Sequence, residues 1–203
     1  MSDRAAENGD ALSPSELASL AVPWNGQITL VTGRPCELTI AAADFVRHAA
    51  EIVAALPIRH LNLTAISESP AVFEVVQLDQ IASLDGSHQR WSDDAIGALA
   101  SSAHCGALRW LDLSKCRITE TQIDVLAASP ALRMVAMLDL SGNRARDLAG
   151  EIWSDWYGAM PPQSSALSRF GSQLESRYGY IPWLHSAEHY WNRPLARPSR
   201  YEF

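Results

Sequence analysis

Late in the chain the sequence reads HSAEH, which places His185, Glu188 and His189 within five residues. Two imidazoles four positions apart fall on one face of a helix and can hold a zinc ion, and the carboxylate between them can act as base toward a metal-bound water. Zinc-dependent hydrolysis is therefore the first chemistry to weigh, and its surroundings oppose it. Such a site needs a third ligand, usually a downstream carboxylate, and in the 14 residues after His189 the sole acid is Glu202. Pro182 and Pro194 also confine any helix there to about two turns. The histidines are better read as solvated or packed on aromatic rings.

A second pair, His104 and Cys105, has the residue types of a thiol–imidazole couple. Neighbours in a chain rarely face one another, and both fall in a loop leading to a strand, so a structural role is expected. No phosphate-cradling glycine loop, dinucleotide fingerprint or serine nucleophile elbow occurs. The chain is accordingly expected to be no enzyme and to use no metal or cofactor.

The elements that position these residues are written as a repeat. LRWLDLSKCRI from Leu108 and VAMLDLSGNRA from Val135 superimpose with an offset of 27, aligning Leu111 with Leu138, Leu113 with Leu140 and Cys116 with Asn143. The same offset backward reaches Ile81, Leu84 and Asp85, with Gly86, Gln89 and Trp91 where leucine, Cys or Asn, and Ile118 stand later. A further step of 23 reaches IRHLNL, with Ile58, Leu61 and Leu63. That makes four units. Helical stretches lie between strands: AADFVRHAAEIVAALP from Ala42, SDDAIGALASS with Ser92 as N-cap, and TETQIDVLAAS with Thr119 or Thr121 as N-cap. Strand and helix are expected to alternate throughout.

The spacing L-x-x-L-x-L-x-x-N/C-x-L resembles that of bacterial leucine-rich-repeat proteins of the ribonuclease-inhibitor-like class, over about Cys36 to Arg146. The resemblance implies an α/β fold: a short leucine-rich-repeat solenoid with parallel strands on the concave face, helices on the convex face, and caps at both ends. It also implies protein binding on the concave face. In this pattern Cys116 and Asn143 are one structural device, side chains that hydrogen-bond backbone groups left unpaired at the bend after a strand.

Strand side chains alternate, so if Leu61, Leu84, Leu111 and Leu138 point inward, Asn62, Asp85, Asp112 and Asp139 point outward on adjacent strands about 5 Å apart. One position earlier the outward row is His60, Ser83, Trp110 and Met137. His60, Asn62, Asp85, Trp110, Asp112, Met137 and Asp139 are thus the candidate partner-binding residues, with an exposed Trp110 as anchor and the carboxylates as charge selector. The repulsion among three aspartates calls for a cation or an arginine-rich partner. The net charge of −7 falls within residues 1–150, which disfavours nucleic acid and favours a protein with a basic patch. An immunity or inhibitor role, or that of a scaffold subunit, follows only by analogy.

Three domains of behaviour are expected: a mobile segment over 1–25, an N-cap plus about four repeats over 26–150, and an aromatic-rich C-terminal cap over 151–203. The N-cap is expected as two short strands, QITLV and CELTI, around Gly33-Arg34-Pro35. The last segment carries four of the seven Trp and all five Tyr, which could cover the final repeat or be displayed. Its helical spacing in ALSRFGSQLESRYG puts Leu167, Phe170 and Leu174 on one side. Three cysteines without a C-x-x-C pair, no membrane-length apolar run and no signal core point to a reduced, cytoplasmic setting without membrane contact.

Overall fold

In a computed structural model, residues 24–31, 34–140, 142–143 and 169–185 of the chain are described. Gln27–Val31 (β1) and Arg34–Ala41 (β2) form the expected antiparallel pair. β2 then begins a parallel series with His60–Thr64 (β3), Ser83–Asp85 (β4), Trp110–Asp112 (β5) and Met137–Asp139 (β6), each strand beside its predecessor in a single six-stranded sheet. The fold is α/β. Leu61, Leu84, Leu111 and Leu138 stand in one register line and are all buried. They share a core with residues of the helices, among them Ile52, Leu99 and Leu126. Each such side chain contributes about 2 kcal/mol by leaving water.

Ala42–Ala55 (α1) buries Phe45, Ala49 and Ile52, a stripe at helical spacing. It stops at Leu56, which is held in extended geometry as expected for a residue before proline. Asp93–Ser101 (α2) starts at Ser92, whose hydroxyl accepts from the Ala95 N–H at 3.2 Å. Glu120–Ala128 (α3) starts at Thr119 rather than Thr121, because Gln122 completes a reciprocal pair: Thr119 Oγ1 accepts from the Gln122 N–H at 3.3 Å, and Gln122 Oε1 accepts from the Thr119 N–H at 3.0 Å.

Among the described residues strand–helix alternation fails between β3 and β4. Between β3 and β4 the chain makes three short 3₁₀ turns, Ile66–Glu68, Pro70–Glu74 and Val76–Gln80. Pro70 stands at the first-turn position that a helix tolerates, so the break falls to the 23-residue step to the next unit, which leaves less chain than the later steps of 27. Phe73, Leu78 and Val72 still bury themselves in the core.

After each of β3 to β6 the backbone turns through a left-handed residue: Ala65 (φ 54°), His88 (φ 57°), Lys115 (φ 55°) and Gly142 (φ 70°). In the last three of these turns the next residue, Gln89, Cys116 or Asn143, reaches back to the preceding unit. Asn143 does most: Nδ2 donates to the Leu113 and Leu140 carbonyls at 2.7 and 2.9 Å, and Oδ1 accepts from the Cys116 and Ile118 N–H groups at 2.8 and 2.9 Å. Gln89 Nε2 donates to the Leu63 carbonyl at 2.6 Å, and its Oε1 accepts from the Ile66 N–H at 3.1 Å. The Cys116 thiol donates toward the Gly86 and Ser114 carbonyls at 3.1 and 3.2 Å.

Gly86, which stands where the next unit has Leu113, is explained by Trp91. The indole fills the vacated space and donates to the Gly86 carbonyl at 2.9 Å, and a Cβ on Gly86 would meet it at 2.5 Å. Trp91 also stacks on Phe73 with ring centres 5.7 Å apart. The least regular unit is therefore a volume exchange, with one large ring in place of two aliphatic side chains.

Arg169–Tyr178 (α4) closes the end of the sheet series against α3. Arg177 pairs with Asp124 at 2.7 Å, Tyr178 donates to the same carboxylate at 3.1 Å, and Arg133 donates to the Tyr178 and Tyr180 carbonyls at 2.6 and 3.0 Å. Leu174, Ile181 and Trp183 join the core, whereas Tyr180 is exposed. The described part of the C-terminal segment thus both covers and displays aromatics. Residues 1–23, 144–168 with Leu167 among them, and 186–203 lie outside the described residues.

Candidate functional site

The sheet face opposite the leucines carries the predicted residues in two rows, and the register is the one the repeat dictates. Glu37, His60, Ser83, Trp110 and Met137 are successive neighbours across β2 to β6, as are Thr39, Asn62, Asp85, Asp112 and Asp139. Strands lie about 4.8 Å apart, so the three aspartates form a row of carboxylates spanning about 10 Å.

The two rows differ in exposure. Asn62, Asp85, Asp112, Asp139 and Met137 are half-buried. Glu37 and His60 are each 4% exposed, Ser83 is 1% exposed and Trp110 is 9% exposed. The expectation of an exposed Trp110 is corrected: the indole stands on the outward face but is covered, and His60 beside it in the row is covered too. Neither offers the open surface an interface anchor needs. Glu37, which the repeat pattern did not single out, belongs to this row because β2 extends the parallel series by one strand. Its position in CELTI was the available signal.

Asp85 and Asp112 also have a local task. Asp85 Oδ1 accepts from the Ser87 N–H at 3.0 Å, and Asp112 Oδ1 accepts from the Ser114 N–H at 2.8 Å. In LDGS and LDLS alike the aspartate thus fastens the turn two residues on. The Asp112 carboxyl titrates above its ordinary range, chiefly because burial penalises its charge, with further elevation from Asp139 and Asp85; the Ser114 hydrogen bonds pull the other way. A positive group placed on this row would relieve the unfavourable part of that balance.

Thiol chemistry is not prepared here. Cys105 and Cys116 are buried, and burial pushes the first thiol up and the second up to about 11. His104 faces away from Cys105 toward Asp79, with 3.3 Å between Nδ1 and the carboxylate. Among the described residues, no three His, Cys, Asp or Glu side chains gather as a metal site. The H-x-x-E-H element lies largely outside them: the backbone of His185 ends a short turn, Pro182–His185, and Glu188 and His189 are not described.

A hollow of about 510 Å³ opens where α2 and α3 begin, lined by Ser67, Arg90, Arg117, Ser92, Thr119 and Gln122 among others. The Ser92 and Thr119 hydroxyls already serve their helices, and the Gln122 amide donates to Asp93 at 2.8 Å. Arg90 and Arg117 are one repeat apart, a pairing the 27-residue offset could have revealed.

No helix among the described residues is long and apolar enough to cross a membrane. Comparison with protein-family models, with curated proteins and with solved structures finds no match.

Proposed function

We propose that this chain is a noncatalytic protein-binding module of leucine-rich-repeat type, and that the carboxylate row Asp85, Asp112 and Asp139 grips an arginine-bearing segment of a partner protein. The carrying observation is the in-register, half-buried placement of those three acids on adjacent strands. Partial burial matters because it weakens solvent screening and strengthens attraction to a guanidinium. Asn62 and Met137 extend the contact at its ends, and the covered His60 and Trp110 form the floor beneath it. Masking a basic surface of an enzyme or toxin, or seating a basic subunit in an assembly, are uses suited to such a face.

Capture from the native host, with the wild-type chain and the Asp112→Lys variant as baits, tests the reading. A protein retained by the wild type should be lost with the variant and should elute as ionic strength rises. Identical captured sets from both baits would overturn it.

A further inference from the structure

Three consecutive units repeat more than their leucines. LDGSHQR from Leu84, LDLSKCR from Leu111 and LDLSGNR from Leu138 keep leucine, aspartate, serine and arginine at fixed places, while the two residues before the arginine change each time. The fold accounts for the first three. Leucine fills the core, and the aspartates of the first two copies accept from the N–H of the serine two residues on. It does not account for the arginine: among the described residues the guanidinium groups of Arg90 and Arg117 make no hydrogen bond or ion pair.

Both arginines line the hollow of about 510 Å³ where α2 and α3 begin. The turns that carry them stay in register past the ends of β4 and β5, since the Gly86 and His88 N–H groups donate to the Asp112 and Ser114 carbonyls at 2.9 Å. Arg90 and Arg117 therefore belong to neighbouring coils, whose spacing is about 5 Å. Other polar groups of the lining are used within the fold. Ser67 donates to the Arg90 carbonyl at 2.7 Å, Thr119 donates to Gln122 Oε1 at 3.3 Å, and Asp93, the one acid of the lining, accepts from the Gln122 amide at 2.8 Å. The Ser92 hydroxyl accepts from the Ala95 N–H and keeps its own proton to give. What the lining has left to offer is donors, two guanidinium forks and a hydroxyl.

We propose that this hollow binds a phosphate monoester of a small molecule, with Arg90 and Arg117 closing on its terminal oxygens and Ser92 donating to one of them. Two like charges on coils so close repel one another, and a dianion between them removes the repulsion. A phosphate monoester carries about two charges and three acceptor oxygens, enough for both planar forks, whereas a carboxylate has two oxygens and satisfies one. A phosphodiester backbone has a single charge per unit and is repelled by a chain of net charge −7. The volume falls in the range of about 300–1,000 Å³ usual for small-molecule sites, and it leaves room beyond the phosphate for the esterified group. Trp91 is part of that lining. The hollow shares no lining residue with the carboxylate row, so the two sites stand or fall separately.

Isothermal titration calorimetry on the full-length chain at low ionic strength tests the site, with glycerol 2-phosphate, inorganic phosphate and acetate as probes. Glycerol 2-phosphate should bind in one saturable step, inorganic phosphate more weakly, and acetate at least about tenfold more weakly than the ester. Arg90→Gln and Arg117→Gln should each weaken binding of glycerol 2-phosphate at least about tenfold, and Arg117→Lys should recover only part of the loss, because an ammonium lacks the fork. Arg47→Gln, which removes the same charge from α1, should change nothing. Circular dichroism checks that the variants keep the wild-type fold. Absence of saturable binding by glycerol 2-phosphate, binding that survives both glutamine variants, an equal loss with Arg47→Gln, or acetate bound as tightly as the ester would each overturn the proposal. Inorganic phosphate bound as tightly as glycerol 2-phosphate would overturn the assignment to an ester and leave the hollow a site for the free ion.

Discussion

Asn143 and Cys116 occupy the same place in successive units, one residue after a left-handed turn residue, and they join their units by different means. The amide of Asn143 donates twice and accepts twice, tying the turn after β5 to the turn after β6. The thiol of Cys116 has one weak proton to share between two carbonyls. Both turns follow the same path all the same. The path is therefore set by the strand register and the left-handed residue, while the next side chain determines how firmly the path is held. Gln89 is intermediate, with one bond to a carbonyl and one from an N–H.

That ranking can be broken directly. Asn143→Ala leaves two N–H groups and two carbonyls in need of partners. At about 1 kcal/mol per lost bond and more where water cannot replace it, the variant should lose about 3–4 kcal/mol in urea unfolding. Gln89→Ala, which frees one donor and one acceptor, should lose about 2 kcal/mol. Cys116→Ala should lose about 1 kcal/mol, through packing and one weak hydrogen bond. A loss for Cys116→Ala equal to that of Asn143→Ala would mean the turn is held by volume and not by hydrogen bonds.

The residue before each joint sharpens the comparison. Gly142 and Lys115 share the left-handed conformation, which costs a side-chain-bearing residue about 1 kcal/mol. Gly142→Ala should therefore lose about 1 kcal/mol, and part of that loss should be contact with Lys115, whose Cγ would stand 2.9 Å from the new Cβ. Thermal unfolding of Gly142→Ala with and without Lys115→Gly separates the two parts. If the double variant is no better than the single one relative to its own parent, the contact contributes nothing.

These joints also mark what could be read in the sequence. Hydrophobic period and turn residues repeat together, so the step of 23 aligned β3 with β4 and the offset of 27 aligned β4 to β6, down to the pairs Asp85 with Asp112 and Asp112 with Asp139. The cap at Ser92 was legible because the choice is local, a hydroxyl three residues before the N–H it accepts from, whereas Thr119 and Thr121 stayed open until the reciprocal pair with Gln122 decided for Thr119. The 3₁₀ turns over 66–80 were missed because the shorter step between units outweighed an expected alternation. The covering of Trp110 was illegible for a different reason. Alternation assigns a side chain to a face, but whether that face meets water depends on what else lies over it, which no period encodes.

The two rows of the open face give the smallest effect and the one with a defined pH dependence. Asp112 titrates above its ordinary value of 3.8, with burial as the main cause and its aspartate neighbours adding to it. A raised folded-state value means that the native chain favours the protonated form, so ionisation of Asp112 works against folding. Below both the unfolded and folded values the group is neutral in either state and no penalty exists; as pH rises through the two values the penalty grows, and at neutral pH it is complete. Asp112→Asn keeps an oxygen to accept the Ser114 N–H and removes the charge. Its melting temperature should match wild type near pH 3 and exceed it at pH 7, and added salt should shrink only the part due to Asp85 and Asp139. Trp110, covered in the adjacent row, has no ionisable group, so Trp110→Phe should shift stability by similar amounts at both pH values. A wild type more stable than Asp112→Asn at pH 7 would mean that a cationic group already sits on the carboxylates.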